Sequence, residues 1–268
     1  MRRVASLAVL GVMVLLQFSG RVQADTPPVL DFSTIVHEQA YTPDCAMTFD
    51  DGPGPHTGAL LDLLAQRHIK ATFFVLGEHV RRYPDLIRRM VADGHEVENH
   101  SWDHPDMRKL DDAARQKEIE DTVALLRSLG AEPHFFRPPY GSYDSALVQT
   151  ARQDGLVVVL WSHDSVDWRY HAIAKIEDDI LPPGDKAHGV FLFHDIQDGT
   201  IAAMPAILDA LAARGCRFST VAQWVADAEQ ARIAAGGKLP PTAGAGQPAA
   251  LSEGKPDGGF RGWLKSLW

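Results

Sequence analysis

The stretch Thr48-Phe49-Asp50-Asp51-Gly52-Pro53-Gly54-Pro55 puts two adjacent carboxylates at the end of a short apolar run, Cys45-Ala46-Met47-Thr48-Phe49, and follows them with a glycine and proline stop. A strand of that length ending at such a breaker presents its last side chains at the lip of a sheet. Neighbouring carboxylates repel each other and burial raises their pKa values. The pair is therefore costly unless a cation, a proton or an arginine lies beside it. The rest of the chain offers candidates for all three.

Outward from this strand, helix-like and strand-like segments alternate. Thr57 to Arg67, with leucines at 60, 61, 63 and 64, reads as a helix, and Ala71 to Val75 as a β-branched and aromatic strand. Pro84 to Ala92 is a helix opened by proline, and His95 to Glu98 a short strand. Asp111 to Leu129 is the longest helix, with Ile119, Val123, Leu126 and Leu129 on one face and Gly130 as its stop. There follow a strand at His134 to Phe136, a helix from Asp144 to Gln153, a buried strand from Leu156 to Leu160 and a helix from His171 to Ile180. A strand at Val190 to Phe193, a helix from Ile201 to Arg214, a last strand at Cys216 to Thr220 and a closing helix from Val221 to Ile233 complete the domain. About seven β-α units in succession predict a parallel sheet with helices outside, and the count favours closure into a barrel.

With 268 residues, 45% of them hydrophobic and 23% charged, the chain is long enough to bury a large core. Met1-Arg2-Arg3 followed by the apolar Val4 to Phe18 reads as an export signal, with Val22-Gln23-Ala24 as a small-residue cleavage site; an uncleaved anchor is the alternative. Cleavage after Ala24 removes three arginines from the 26 basic residues and none of the 35 acids, so the mature balance is 23 − 35 = −12. So acidic a protein is a poor nucleic-acid binder. It is free to act on neutral or cationic polymers in the secreted or periplasmic space. Cys45 and Cys216 allow one bridge if the first and last strands are neighbours, or else two buried thiols. Residues 25–40 form an irregular extension ahead of a domain at 41–233, and 234–259, rich in Ala, Gly and Pro, a flexible linker. In 260–268, Phe260, Trp263, Leu264, Leu267 and Trp268 fall at helical spacing. That tail is too short to hold a helix alone and is expected to dock on the protein's own surface, a membrane surface or a partner groove.

Polar sets follow several of the strands. Histidines four apart, His100 and His104, meet on one face of a helical turn and can hold one metal. With Asp51 they make a two-histidine, one-carboxylate set suited to catalytic zinc, although other divalent ions such as Co2+ use the same donors. Arg137, straight after Phe136, can pair with Asp50 and keep it ionised as a base, or form an ordinary ion pair. Asp167 can orient His194 as a general acid. All of these lie at the strand ends where β/α barrels assemble active sites. The remaining histidines, His79 and His95 among them, read as surface or structural, with His163 the one placed to line a groove.

Thr48 to Pro53, His100-Ser101-Trp102-Asp103-His104-Pro105, Arg137-Pro138-Pro139-Tyr140, Asp164-Ser165-Val166-Asp167-Trp168 and Leu192-Phe193-His194 resemble, in order, the five motifs of the polysaccharide deacetylases, the NodB-homology group of carbohydrate esterase family 4. The resemblance spans roughly residues 41 to 228, and no motif position departs from it. It implies a distorted (β/α)7–8 barrel and removal of N-acetyl groups from N-acetylglucosamine units of a glycan. It also implies one divalent ion held by Asp51, His100 and His104, with Asp50 as base and Arg137 holding Asp50. Tyr140 would offer its backbone N–H to the oxyanion, and His194, oriented by Asp167, would protonate the leaving amine. Leu192, Trp168 and Pro138, with Tyr140, would line the substrate. Trp161 and Tyr143 are weaker candidates for sugar stacking, since buried aromatics more often serve the core. The expected partner is an acetylated glycan and the expected state a monomer. O-deacetylation of an acetyl-xylan type ester, a silent glycan-binding domain and hydrolysis of a small cyclic amide are the rival readings.

Overall fold

The structure, a computed structural model, describes residues 29–33, 42–181 and 187–234. The export segment and the tail expected from the sequence lie outside the described residues, as does the linker beyond Ala234. Among the described residues, eight strands form one sheet: β1 (Asp44–Asp50), β2 (Thr72–Val75), β3 (Glu96–Asn99), β4 (Phe135–Phe136), β5 (Val157–Val158), β6 (His163–Asp164), β7 (Gly189–His194) and β8 (Arg217–Ser219). Every pairing is parallel, in the order β5-β4-β3-β2-β1-β7-β6, with β8 against the N-terminal half of β1.

The two ends of that order, β5 and β6, are separated in the chain only by residues 159–162. The chain from Val158 to His163 reaches at most about 18 Å, whereas seven strands laid flat would set their outer edges about 29 Å apart. The sheet must curl. The connecting segment passes its hydrogen bonds from one edge to the other: Val159 N–H donates to Phe136 O at 2.9 Å, and Ser162 N–H to Val190 O at 2.9 Å. Closure thus depends on one bent segment, which makes the barrel distorted. The same bend shortens the strand expected over Leu156 to Leu160 to Val157–Val158, with Val159 bridged to Leu30 instead.

Side-chain alternation sends the residues of β1 into two of the three clusters that make up the core. From β1, Cys45, Met47 and Phe49 join Phe73, Val75, Phe191 and Phe193 in the layer beneath the helices. Ala46 joins Phe74, Val157, Val190 and Trp224 in a second cluster, so Thr48 and Asp50, at the same alternation, point the way Ala46 does. Leu30 and Phe32 belong to this second cluster, Phe32 meeting Trp224 edge-on at 4.8 Å. The domain therefore starts before residue 41, because two residues of the expected extension fill its core.

The helices are α1 (Thr57–Gln66), α2 (Gly77–Arg82), α3 (Pro84–Ala92), α4 (Asp112–Ser128), α5 (Ser145–Gln153), α6 (Ile173–Ile180), α7 (Asp198–Ala213) and α8 (Val221–Ala234). Asp111 and Asp144 cap α4 and α5, accepting from Ala114 and Leu147 N–H at 2.8 Å each. Helix α2 has no signature in the sequence, since six residues with Val80 as their one buried large side chain carry no apolar stripe. Helix α6 begins at Ile173 rather than His171, and β6 is a two-residue strand, too short for an apolar alternation to announce it. Cys45 and Cys216 are disulfide-bonded, with Cα atoms 5.7 Å apart, as the β1–β8 pairing permits.

Candidate active site

Every side chain of the site projects from the C-terminal end of a strand or the loop just beyond it. Asp50 ends β1 and pairs in register with His194, which ends β7. Asp50 is buried, and its Oδ1 accepts from Arg137 Nη1 at 2.8 Å. Arg137 is fully buried; its guanidinium also donates to Thr48 Oγ1 at 2.7 Å and Leu160 O at 3.1 Å, and lies 4.0 Å over the Phe74 ring. Burial lowers the Arg137 pKa and the Asp50 charge opposes it; an arginine remains charged in such a setting.

Asp51 sits past the strand with φ 68°, a turn that swings its carboxylate away from Asp50's path. Its Oδ1 lies 3.4 Å from His100 Nε2 and 3.6 Å from His104 Nε2, and its Oδ2 4.0 Å from His194 Nε2. Burial raises the Asp51 pKa, but the imidazoles crowded around its carboxylate, His100 first and then His194 and His104, outweigh it and hold the group well below the usual carboxylate range. His100 Nδ1 is 2.6 Å from Arg137 O. A carbonyl oxygen only accepts, so Nδ1 carries the proton and Nε2 turns a lone pair toward Asp51. Asp51 Oδ1 is itself buried without a hydrogen-bond partner among the described residues. A carboxylate oxygen left bare beside two imidazole Nε2 atoms fits a cation. One ligand atom each from Asp51, His100 and His104 lies within 4.8 Å of the others, a three-residue set that could hold a metal ion.

The helical turn expected to bring the two histidines together is absent. Ser101 and His104 both have positive φ, 85° and 64°, and the segment is a loop. Asn99 Oδ1 accepts from Ser101 N–H at 2.8 Å, Glu118 Oε2 from Trp102 N–H at 2.8 Å, and Ser101 Oγ from His104 N–H at 3.0 Å. These bonds replace the missing helical ladder and set the rings 5.1 Å apart.

Opposite, His194 Nδ1 donates to Asp167 Oδ1 at 2.6 Å, while its backbone N–H donates to Oδ2 at 2.8 Å and Thr200 Oγ1 to the same oxygen at 2.5 Å. Burial works against the His194 charge, but the Asp167 hydrogen bond and charge, then Asp50 and Asp51, raise its pKa to about 9. The imidazolium is thus the favoured form, a proton donor aimed across the triad.

Tyr140 lies in a short 3-10 turn at φ 62° with its side chain 66% exposed, and its ring meets His104 at 4.5 Å. Trp168 is 54% exposed beside Asp167, whereas Leu192 is 3% exposed and Pro138 buried. Leu192 can form only a floor, and Pro138 has little surface for a ligand; its ring instead fixes the backbone between Arg137 and Tyr140. Trp161 stands 5.6 Å from the Arg137 guanidinium and Tyr143 packs on the core, both structural placements. His163 stacks on Phe191 at 4.4 Å, on the helix-facing side rather than in the cleft.

Two residues gain a place that sequence reading did not assign. His79 Nδ1 lies 2.7 Å from Asp51 O and must donate to it. Asp195, next to His194, is fully buried and raised to about 7, chiefly by burial. Asp195 stands with His194 in a polar set just after a strand, which marks its place but not its contacts; nothing in the sequence marks His79.

Residues 38–159 match the family model for polysaccharide deacetylase. A peptidoglycan-N-acetylglucosamine deacetylase of Bacillus cereus is 38% identical over 182 residues, covering 64% of this chain and 67% of the relative. A chitooligosaccharide deacetylase of Rhizobium leguminosarum bv. trifolii is 37% identical over 195 residues, 66% of this chain and 89% of its own. The chain belongs to the polysaccharide deacetylases. Among solved structures, the family 4 carbohydrate esterase of Streptomyces lividans in complex with acetate superposes with a TM-score of 0.61 at 35% identity, covering 66% of this chain and 92% of that one. This deacetylase has the parallel, curled sheet of that family.

Proposed function

We propose that this polysaccharide deacetylase hydrolyses the N-acetyl group of N-acetylglucosamine units in a glycan, releasing acetate, with one divalent ion, zinc foremost, held by Asp51, His100 and His104. The observation that carries the reading is the bare Asp51 Oδ1 between two Nε2 atoms at 3.4 and 3.6 Å, with Asp50 tied to Arg137 on one side and His194 to Asp167 on the other. An ion in that set would polarise the acetyl carbonyl and the attacking water.

Asp50 takes a proton from water as its oxygen bonds to the acetyl carbon. Arg137 holds that carboxylate in one orientation through the bond from Nη1 to Oδ1. The Tyr140 backbone N–H serves as the oxyanion donor in this reading, a role supported by the residue's place in a left-handed turn with its ring against His104. As the carbon–nitrogen bond breaks, the electron pair goes to nitrogen and His194 Nε2 supplies its proton. Asp167 is the positioning group for His194, and Trp168 and Tyr140 offer exposed aromatic faces to the sugar. Secretion after cleavage near Ala24 is part of the proposal, and the Cys45–Cys216 bridge supports an oxidising compartment.

Acetate release measured on chitooligosaccharide, peptidoglycan and acetyl-xylan, with and without chelator, tests the proposal. Release from either of the first two, abolished by chelator and restored by zinc, is expected. Release from acetyl-xylan alone would move the reaction to ester hydrolysis, and chelator-insensitive release would remove the ion.

A further inference from the structure

We propose that Asp195 and Thr57 form a clamp that sets the position of Asp51 relative to His194; both are positioning residues. The inference rests on the reading of Asp51 as a metal ligand. Asp51 lies one residue past the end of β1, in a left-handed conformation, so the sheet ladder does not fix it. Other bonds must. On one side of the loop, His79 Nδ1 donates to Asp51 O at 2.7 Å and Leu76 N–H to Gly52 O at 3.0 Å.

On the other side stands the Asp195 carboxyl. It lies so close to Gly52 that a Cβ at this position would come 2.3 Å from Oδ1 and 2.5 Å from Oδ2. Only glycine admits that approach. The Thr57 hydroxyl donates to Asp195 Oδ2 and accepts from Gly54 N–H at 2.8 Å. One hydroxyl thereby ties the start of α1 and the loop after Asp51 to the end of β7. The clamp reaches from the neighbour of one reacting group, His194, to the neighbour of the other, Gly52.

Asp195 is fully buried, and its Oδ1 has no hydrogen-bond partner among the described residues. Such a group costs stability that an apolar side chain of the same size would not. What the carboxyl supplies is a fixed spacer between two loops that carry different parts of the chemistry. Its neighbours Asp51 and His194 are held with Oδ2 and Nε2 4.0 Å apart.

The test uses the full chain with Thr57→Val, Thr57→Ser, Asp195→Ala and the Thr57→Val/Asp195→Ala double variant. Zinc affinity is read by competition with a chromogenic chelator, ligand geometry by the visible spectrum of the Co2+ form, and turnover on chitooligosaccharide. Thr57→Val and Asp195→Ala should each weaken zinc about tenfold, as loss of supporting contacts around a metal does. Both should change the Co2+ spectrum and lower kcat with little change in KM. Thr57→Ser should restore all three, and the double variant should lose no more than one single variant. Wild-type zinc affinity and an unaltered Co2+ spectrum in Thr57→Val, or additive losses in the double variant, would overturn the clamp. Thr57→Val decides the matter even if Asp195→Ala fails to fold. A wild-type chain that binds no zinc would instead remove the metal reading, and the clamp with it.

Discussion

Asp50 and His194 face each other in register on the paired strands β1 and β7. A proposed base and a proposed acid are thereby fixed one strand spacing apart, about 4.8 Å between backbones. Each has its own buried partner, Arg137 for Asp50 and Asp167 for His194. The two proton-handling groups are therefore oriented independently, and each can be removed without dismantling the other.

Asp50→Asn keeps the size of the side chain and its contact with Arg137 but cannot accept a proton from water. Deacetylation should fall by roughly 10²–10⁴-fold, the usual contribution of general acid–base catalysis. Zinc affinity, measured by calorimetry on the same preparation, should stay within about threefold. Turnover that survives would exclude Asp50 as the base.

Arg137→Ala should be severe for the fold as well as for activity. It strands the Asp50 carboxylate in a buried site and empties the space over Phe74. Breaking a buried pair from one side costs about 3–5 kcal/mol, readable in urea denaturation. Arg137→Lys should not recover the loss, because one ammonium cannot reach Asp50, Thr48 and Leu160 together.

Trp168→Ala removes an exposed ring and should leave the melting temperature nearly unchanged. If the ring stacks on sugar, its loss should raise KM by about twofold to tenfold, the equivalent of roughly 0.5–1.5 kcal/mol, with kcat almost constant. A fall in kcat at unchanged KM would place Trp168 elsewhere in the reaction.

His95 supplies a pH dependence remote from the site. Its Nδ1 accepts from Ala71 N–H at 3.1 Å and its ring lies edge-on to Phe73. Burial, helped by Lys70, lowers its pKa to about 4. The unfolded chain binds the proton near pH 6.5, so between those values the unfolded state holds more protons than the folded one. Stability from this group is complete above about pH 6.5 and is lost as pH falls toward 4. Urea midpoints at pH 7, 5.5 and 4.5 should therefore drop less steeply in His95→Gln than in wild type, and parallel slopes would contradict the assignment.

The Cys45–Cys216 bridge joins residues 171 apart in sequence. Loop-closure entropy for so long a loop allows about 5 kcal/mol, and measured losses for native bridges run at about 2–5 kcal/mol. Reduction, or the double substitution to alanine, should lower the denaturant midpoint accordingly while leaving the spectroscopic signature of the fold at low denaturant.

Much of this protein is legible in the sequence because its signals are local. Alternating apolar runs and capped helices announce a parallel β/α architecture, and Asp111 and Asp144 mark their helix starts within one residue. Polar residues following strands point to one face of that architecture, so Asp50, Asp51, His100, His104, Arg137, Asp167 and His194 could be singled out by position and residue type. Tertiary structure decided what depends on contacts distant in sequence. It replaced the expected helical turn between His100 and His104 with a loop pinned by Asn99 and Glu118. It closed the barrel through residues 159–162, drew Leu30 and Phe32 into the core, and joined Cys45 to Cys216. It also set His79, Thr57 and Asp195 around the Asp51 loop. Periodicity reports which face of an element is buried, but a side chain meets its partner only when separate strands are brought into register, and no local pattern encodes that distance.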